Sequence, residues 1–279
     1  MKTTQRPNKF ELFAARRPIA FGFVLFFLFT LLSTLTWPIS QTLPYPEGNE
    51  LGEALAKIVI TACFVGLLWR FGWLKFAGFN NLGTKQAWLI AVPLMFYKAI
   101  LSVYVFAGKF IFQFPPLADT LGIIFFSLAT SLLEESMYRG LLLSAMRKAW
   151  DSTRRGMIFS ALISGLFWGS MHFFNLLIRP FPVVFLQVLN MVLIGFFYGI
   201  LVFYSRSIWP AVLFHWTTNA AVELALSNVT NFEETLAHWV GYTAVSLLPV
   251  LVSLWLLKTS SQTEQGLTTG FSTSTQLIE

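Results

Sequence analysis

Two adjacent glutamates and an arginine, Glu134, Glu135 and Arg139, sit in the run Leu132-Leu133-Glu134-Glu135-Ser136-Met137-Tyr138-Arg139-Gly140, inside a long apolar segment. Two of the three histidines have similar surroundings: His172 ends the run Phe167-Trp168-Gly169-Ser170-Met171-His172, and His215 opens His215-Trp216-Thr217-Thr218-Asn219. Carboxylates and imidazoles are the side chains that exchange protons with a reacting water or substrate. An ionisable residue inside a membrane span costs about 2.5–3.5 kcal/mol on insertion scales, so each one kept there needs a reason.

Helix geometry divides the work. Glu135 and Arg139 are four apart, on one face, in the acid-first order that favours an ion pair. Glu134 is rotated by about 100° from Glu135 and faces a different neighbour. One carboxylate is thus neutralised locally and the other is left for chemistry. Both acids sharing Arg139, or pairing across the bundle, stays open at this level. His215 and Asn219 share a helix face, as do Trp168 and His172. At about 1.5 Å per residue, Glu134, His172 and His215 lie roughly 18, 24 and 10 Å from the cytoplasmic ends of their helices, compatible with one cavity. Glu223 continues the His215/Asn219 stripe but lies too far outward to share it. His238, at an outer helix end, is an interfacial residue without a role.

The elements that carry these residues are membrane helices. The 279 residues are 56% hydrophobic and 11% charged, with mean hydropathy +0.66. That leaves too little polar surface for a soluble domain. Apolar runs fall at about 18–37, 54–74, 86–108, 117–146, 156–178, 182–204, 208–226 and 239–257. At about 20 residues per crossing they predict about eight transmembrane helices in one all-α polytopic domain. The first run is too long for a signal-peptide core and reads as an uncleaved helix. Pro93 and Pro249 are expected inside helices as kinks, and Pro210 in a first turn. Lys57 is expected to snorkel, whereas Lys98 is mid-span and has no evident partner.

Charge placement orients the chain. With the N-terminus inside, 14 of the 19 Lys and Arg residues fall in cytoplasmic segments, predicting N-in and C-in. Residues 1–17 read as a basic cytoplasmic segment that sets topology, 18–257 as the transmembrane domain, and 258–279 as a disordered cytoplasmic tail. The net charge of +6 is spread over short loops, so the bilayer, not nucleic acid, is the implied partner. The single cysteine, Cys63, excludes an intrachain disulfide framework and a cysteine-based zinc site. Asn228-Val229-Thr230 fits a glycosylation acceptor, a triplet common by chance.

At three segments the chain resembles the CPBP family of intramembrane proteases, which includes type II CAAX prenyl endopeptidases and bacteriocin-processing or immunity proteins. The motifs are Glu134-Glu135-Ser136-Met137-Tyr138-Arg139 followed by Gly140, Trp168 four residues before His172, and His215-Trp216-Thr217-Thr218-Asn219 after Ser207-Ile208-Trp209-Pro210-Ala211. The second departs from the family pattern, with Trp168 where Phe is usual. The resemblance is strongest over 117–225. It implies an endopeptidase acting on a membrane-associated protein or peptide, either CAAX-type or a peptide precursor. Glu134 would be the general base, His172 would orient the water and protonate the leaving amine, and His215 and Asn219 would be oxyanion donors. Glu135 and Arg139 would be structural support.

Such proteins are often classed as metalloendopeptidases. If a metal is present, Glu134, His172 and His215 are the ligand candidates, zinc being the ion their types suit. The spacing is not His-Glu-x-x-His, and Asn219 beside His215 suits an oxyanion better than zinc, which favours metal-free hydrolysis. The expected location is the plasma membrane of a bacterium or an endomembrane of a eukaryote. The competing reading is a non-catalytic scaffold or regulator, or a small-molecule permease, that uses the same groups as interhelical glue.

Overall fold

The computed structural model of the chain describes residues 9–42, 50–109, 114–150, 153–227, 229 and 232–260. Residues 1–8 of the basic segment, 261–279 of the tail, and Asn228 and Thr230 of the glycosylation triplet lie outside these. The described chain is helical, with no strand: α1 (Lys9–Arg16), α2 (Pro18–Thr42), α3 (Glu50–Arg70), α4 (Lys85–Ala107), α5 (Leu117–Glu135), α6 (Leu143–Trp150), α7 (Arg154–Met171), α8 (Phe181–Ser205), α9 (Trp209–Leu226) and α10 (Leu236–Ser260). A π-helical segment, Ser136–Leu142, joins α5 to α6, and a 3₁₀ stretch, His172–Leu177, extends α7. The all-α polytopic class is borne out.

Seven helical stretches among the described residues are long and apolar enough to cross a membrane. They match seven of the eight apolar runs. The remaining run, 208–226, forms α9, which falls short by that measure. His215, Thr217, Thr218, Asn219 and Glu223 lower its hydropathy, yet it packs on α4, α5 and α8. Lipid-facing apolar side chains stay uncovered, among them Phe27, Trp69, Leu89 and Leu251. This is the surface expected where hydrocarbon is the solvent.

Helix α8 is the axis of the bundle: 72% of its span is buried, against 39% at most in the other six membrane-length stretches. Its closest partner is α7, and small residues make the approach possible. A Cβ on Gly165 would stand 2.8 Å from the Val192 carbonyl oxygen, and one on Gly195 would stand 2.9 Å from Gly165 Cα. Nothing in the hydropathy pattern signals this pair. It fixes the rotation of α7, and so the direction in which Trp168 points.

The prolines fall as expected, Pro93 and Pro249 inside α4 and α10, and Pro210 in the first turn of α9; Pro38 inside α2 is an addition. Lys57 does not simply reach outward. Its ammonium sits 3.5 Å over the Phe126 ring and 3.9 Å from Glu53 Oε2. Lys98 finds neutral partners on α10, considered below.

The loop after α3 closes one end of the bundle. Phe71, Trp73 and Ala77 are buried, the Phe79 carbonyl accepts from Trp209 Nε1 at 3.1 Å, and Ser207 Oγ donates to the Asn81 carbonyl at 2.7 Å. Gly78 has φ +84°, and a Cβ there would meet Ser207 Cα at 2.6 Å. Only glycine serves at that crossing.

Candidate active site

The two glutamates separate as helix geometry requires. Glu135 is wholly buried and its Oε1 lies 3.2 Å from Arg139 Nη1. Arg139 is buried too; its Nη2 donates to the Gly195 carbonyl at 3.1 Å, and its guanidinium lies 4.7 Å from the Trp168 ring. Glu134 keeps 25% of its side chain accessible and makes no pair with the arginine. Its Oε2 accepts from Trp168 Nε1 at 2.5 Å.

The π-helical segment begins at the residue after Glu135. The Leu143 N–H donates to the Tyr138 carbonyl, five residues back. The same carbonyl accepts from Ser164 Oγ on α7 at 3.0 Å. π-Helical turns are rare and concentrate at functional sites. This one seats Tyr138, Arg139 and Gly140 in the core immediately after the acid pair.

His215 is brought between the acids. Its Nδ1 lies 3.0 Å from Glu135 Oε1, and its Nε2 lies 3.8 Å from Glu134 Oε2. A carboxylate opposite Nδ1 assigns that nitrogen as a donor. The ring is stacked at 5.6 Å on Tyr198 and meets Trp168 edge-on at 5.2 Å. Tyr198, on α8, had no distinguishing signal in the sequence. Nor did the contact between His215 and Glu135, because the residues are on different helices.

His172 stands beside this cluster rather than in contact with Glu134. Its Nδ1 faces the Trp168 carbonyl at 3.3 Å, so that nitrogen is a donor and Nε2 is the free face. It lies within electrostatic range of both Glu134 and His215. Asn219, one turn past His215, is half-buried. Glu223 is tied elsewhere, accepting from Ser127 Oγ at 2.6 Å. His238 accepts from the Thr235 N–H at 3.0 Å, a local turn contact.

A zinc site needs about three convergent protein ligands. Among the described residues no three His, Cys, Asp or Glu side chains stand together closely enough to hold an ion. His172 Nδ1 is directed to a carbonyl, His215 Nδ1 to Glu135, and Glu134 Oε2 to an indole. Those contacts leave the Nε2 atoms of His172 and His215 and Glu134 Oε1 as the atoms that would face an ion, but in this arrangement they do not converge on one point.

Residues 116–221 match the family model for the type II CAAX prenyl endopeptidase Rce1-like proteins. The match begins just before α5, ends within α9, and takes in all three motif segments. The resemblance to the CPBP family is borne out over this stretch. No curated protein and no solved structure gives a significant match. Seven apolar helices among the described residues, with this match, point to an integral membrane protein.

Proposed function

We propose that this protein is an intramembrane endopeptidase that hydrolyses a peptide bond of a membrane-associated protein or peptide by water activated at Glu134. One observation carries the reading: a partly accessible carboxylate, Glu134, lies 3.8 Å from His215 Nε2, among otherwise buried groups. That separation is too long for a good direct hydrogen bond and short enough for both groups to reach one water. The Rce1-like match supports a peptidase, and its name supports a CAAX-type substrate; a peptide precursor is the other substrate class.

The chemistry follows from the side chains. Glu134 takes a proton from the water as the water oxygen bonds to the scissile carbonyl carbon, and the carbonyl electron pair moves onto its oxygen. Asn219 through its amide NH2, and His215 through a protonated Nε2, donate to that oxyanion, each well-placed donor being worth roughly 3–4 kcal/mol. His172 orients the water through Nε2. Collapse of the intermediate breaks the C–N bond, and the proton passes through His172 to the leaving amine. Glu135 and Arg139 hold His215 and the helix face in register. These steps use only the chain's own side chains and water.

The test is to incubate purified protein in detergent with prenylated and unprenylated peptide libraries, with and without chelator, and to map the cuts. Defined cut sites that vanish in Glu134→Gln are expected. An intact library with well-folded wild-type protein would reject the protease reading.

A further inference from the structure

The geometry points to Trp168 as the residue that positions the general base, through a hydrogen bond from its indole N–H that a phenylalanine at this place cannot make. The inference deepens the protease reading and rests on it. An indole has one donor and no acceptor, and a buried donor must find a partner. Trp168 is 2% exposed, and its Nε1 donates to Glu134 Oε2 at 2.5 Å.

The ring is held on several sides, so the donor direction is set before substrate arrives. The Arg139 guanidinium lies 4.7 Å from it, Tyr198 packs at 5.8 Å, and His215 meets it at 5.2 Å. Gly195 leaves the room it needs, since a Cβ there would stand 2.9 Å from Trp168 Cε3. On the main chain, the Trp168 carbonyl faces His172 Nδ1 at 3.3 Å. One residue therefore orients both Glu134, by its indole, and His172, by its carbonyl.

The consequence is a fixed carboxylate. The indole takes one lone pair of Oε2, the oxygen that also faces His215 Nε2 at 3.8 Å, and so sets where the carboxylate meets the attacking water. A carboxylate without that anchor samples more rotamers about its terminal torsion, which is broad and shallow. Positioning of this kind acts on the chemical step more than on ground-state binding.

The test uses the full chain in detergent. Trp168→Phe keeps an aromatic ring and removes the donor. β-(3-Benzothienyl)alanine at the same position keeps the bicyclic shape and replaces N–H by sulfur. Both are expected to lower kcat about tenfold to a hundredfold, the range for a hydrogen bond to a charged group, with KM little changed. With 15N-labelled tryptophan, the Trp168 indole proton resonance, assigned by its loss in Trp168→Phe, is expected to move upfield in Glu134→Ala.

An unmoved resonance would overturn the hydrogen bond. Wild-type kcat in the benzothienyl protein would overturn the positioning role and leave the protease reading standing. A wild type inert towards every peptide would remove the protease reading, and the catalytic role of Trp168 with it, while the resonance still reports the contact.

Discussion

Two polar clusters are buried among the described residues of this bundle, and only the one around Glu134 is read as a reaction centre. Around Glu134, acceptors and donors converge on a carboxylate that retains access to its surroundings. Around Lys98 everything is closed. Lys98 is 0% exposed, donates to Ser246 Oγ at 2.8 Å, and sits 3.4 Å over the Tyr242 ring. Asn190 Nδ2 donates to the same Ser246 oxygen at 2.8 Å, and Ser246 Oγ in turn donates to the Tyr242 carbonyl at 2.9 Å. Among the described residues no carboxylate pairs with Lys98.

An intramembrane charge is by default a pointer to function. The comparison shows what sharpens that pointer: an accessible group with coordination left over, rather than charge alone. The Lys98 cluster is interhelical glue, joining α4, α8 and α10 through neutral partners and a cation–π contact.

The largest effect is expected inside the active-site cluster but away from the reacting carboxylate. Glu135→Gln strands the buried Arg139, and breaking a buried pair costs about 3–5 kcal/mol. Lower yield and a depressed melting temperature should be the main defect. Equal stability with abolished turnover would instead make Glu135 the reacting acid and reverse the two roles.

Next comes Glu134→Gln, which should fold like wild type and lose at least about 100-fold in turnover, the low end for removal of a general base. Near-normal proteolysis by that variant would move the base elsewhere and erase the contrast between the clusters.

The Lys98 cluster should respond far less. Lys98→Met keeps the length and removes the charge, trading a cation–π contact of about 1–2 kcal/mol against relief from burying an ammonium. The melting temperature should hold or rise, with turnover unchanged. A loss of turnover at undiminished stability would break the comparison and bring Lys98 into the function.

The smallest effect is expected from metal removal. Exhaustive dialysis against a strong chelator should leave most of the activity. Stoichiometric zinc by elemental analysis, lost and regained together with turnover, would establish a metal enzyme and displace the water-only mechanism.

What could be read from the chain alone is what depends on near neighbours. Hydropathy over about 20 residues located the helices, because burying a backbone in hydrocarbon demands one kind of local structure. The spacing of Glu135 and Arg139 announced their pair, because i,i+4 contact needs only one helix. The same periodicity turned Glu134 away from Arg139 and put His215 and Asn219 on one face. The π-helical widening after Glu135 escaped this reading, since no residue pattern there distinguishes it from an ordinary helix.

Tertiary structure decided the rest. Trp168 reaches Glu134 across 34 positions of sequence, His215 reaches Glu135 across 80, and Lys98 reaches Ser246 across 148. Each contact depends on how far one helix is rotated and tilted against another. That is set by close packing at places such as Gly165 and Gly195, not by the hydropathy of either helix. So the types of the candidate site residues and the helices that carry them are sequence information. Which oxygen of Glu134 is anchored, and which nitrogen of His215 is spoken for, exist only once the helices have locked together.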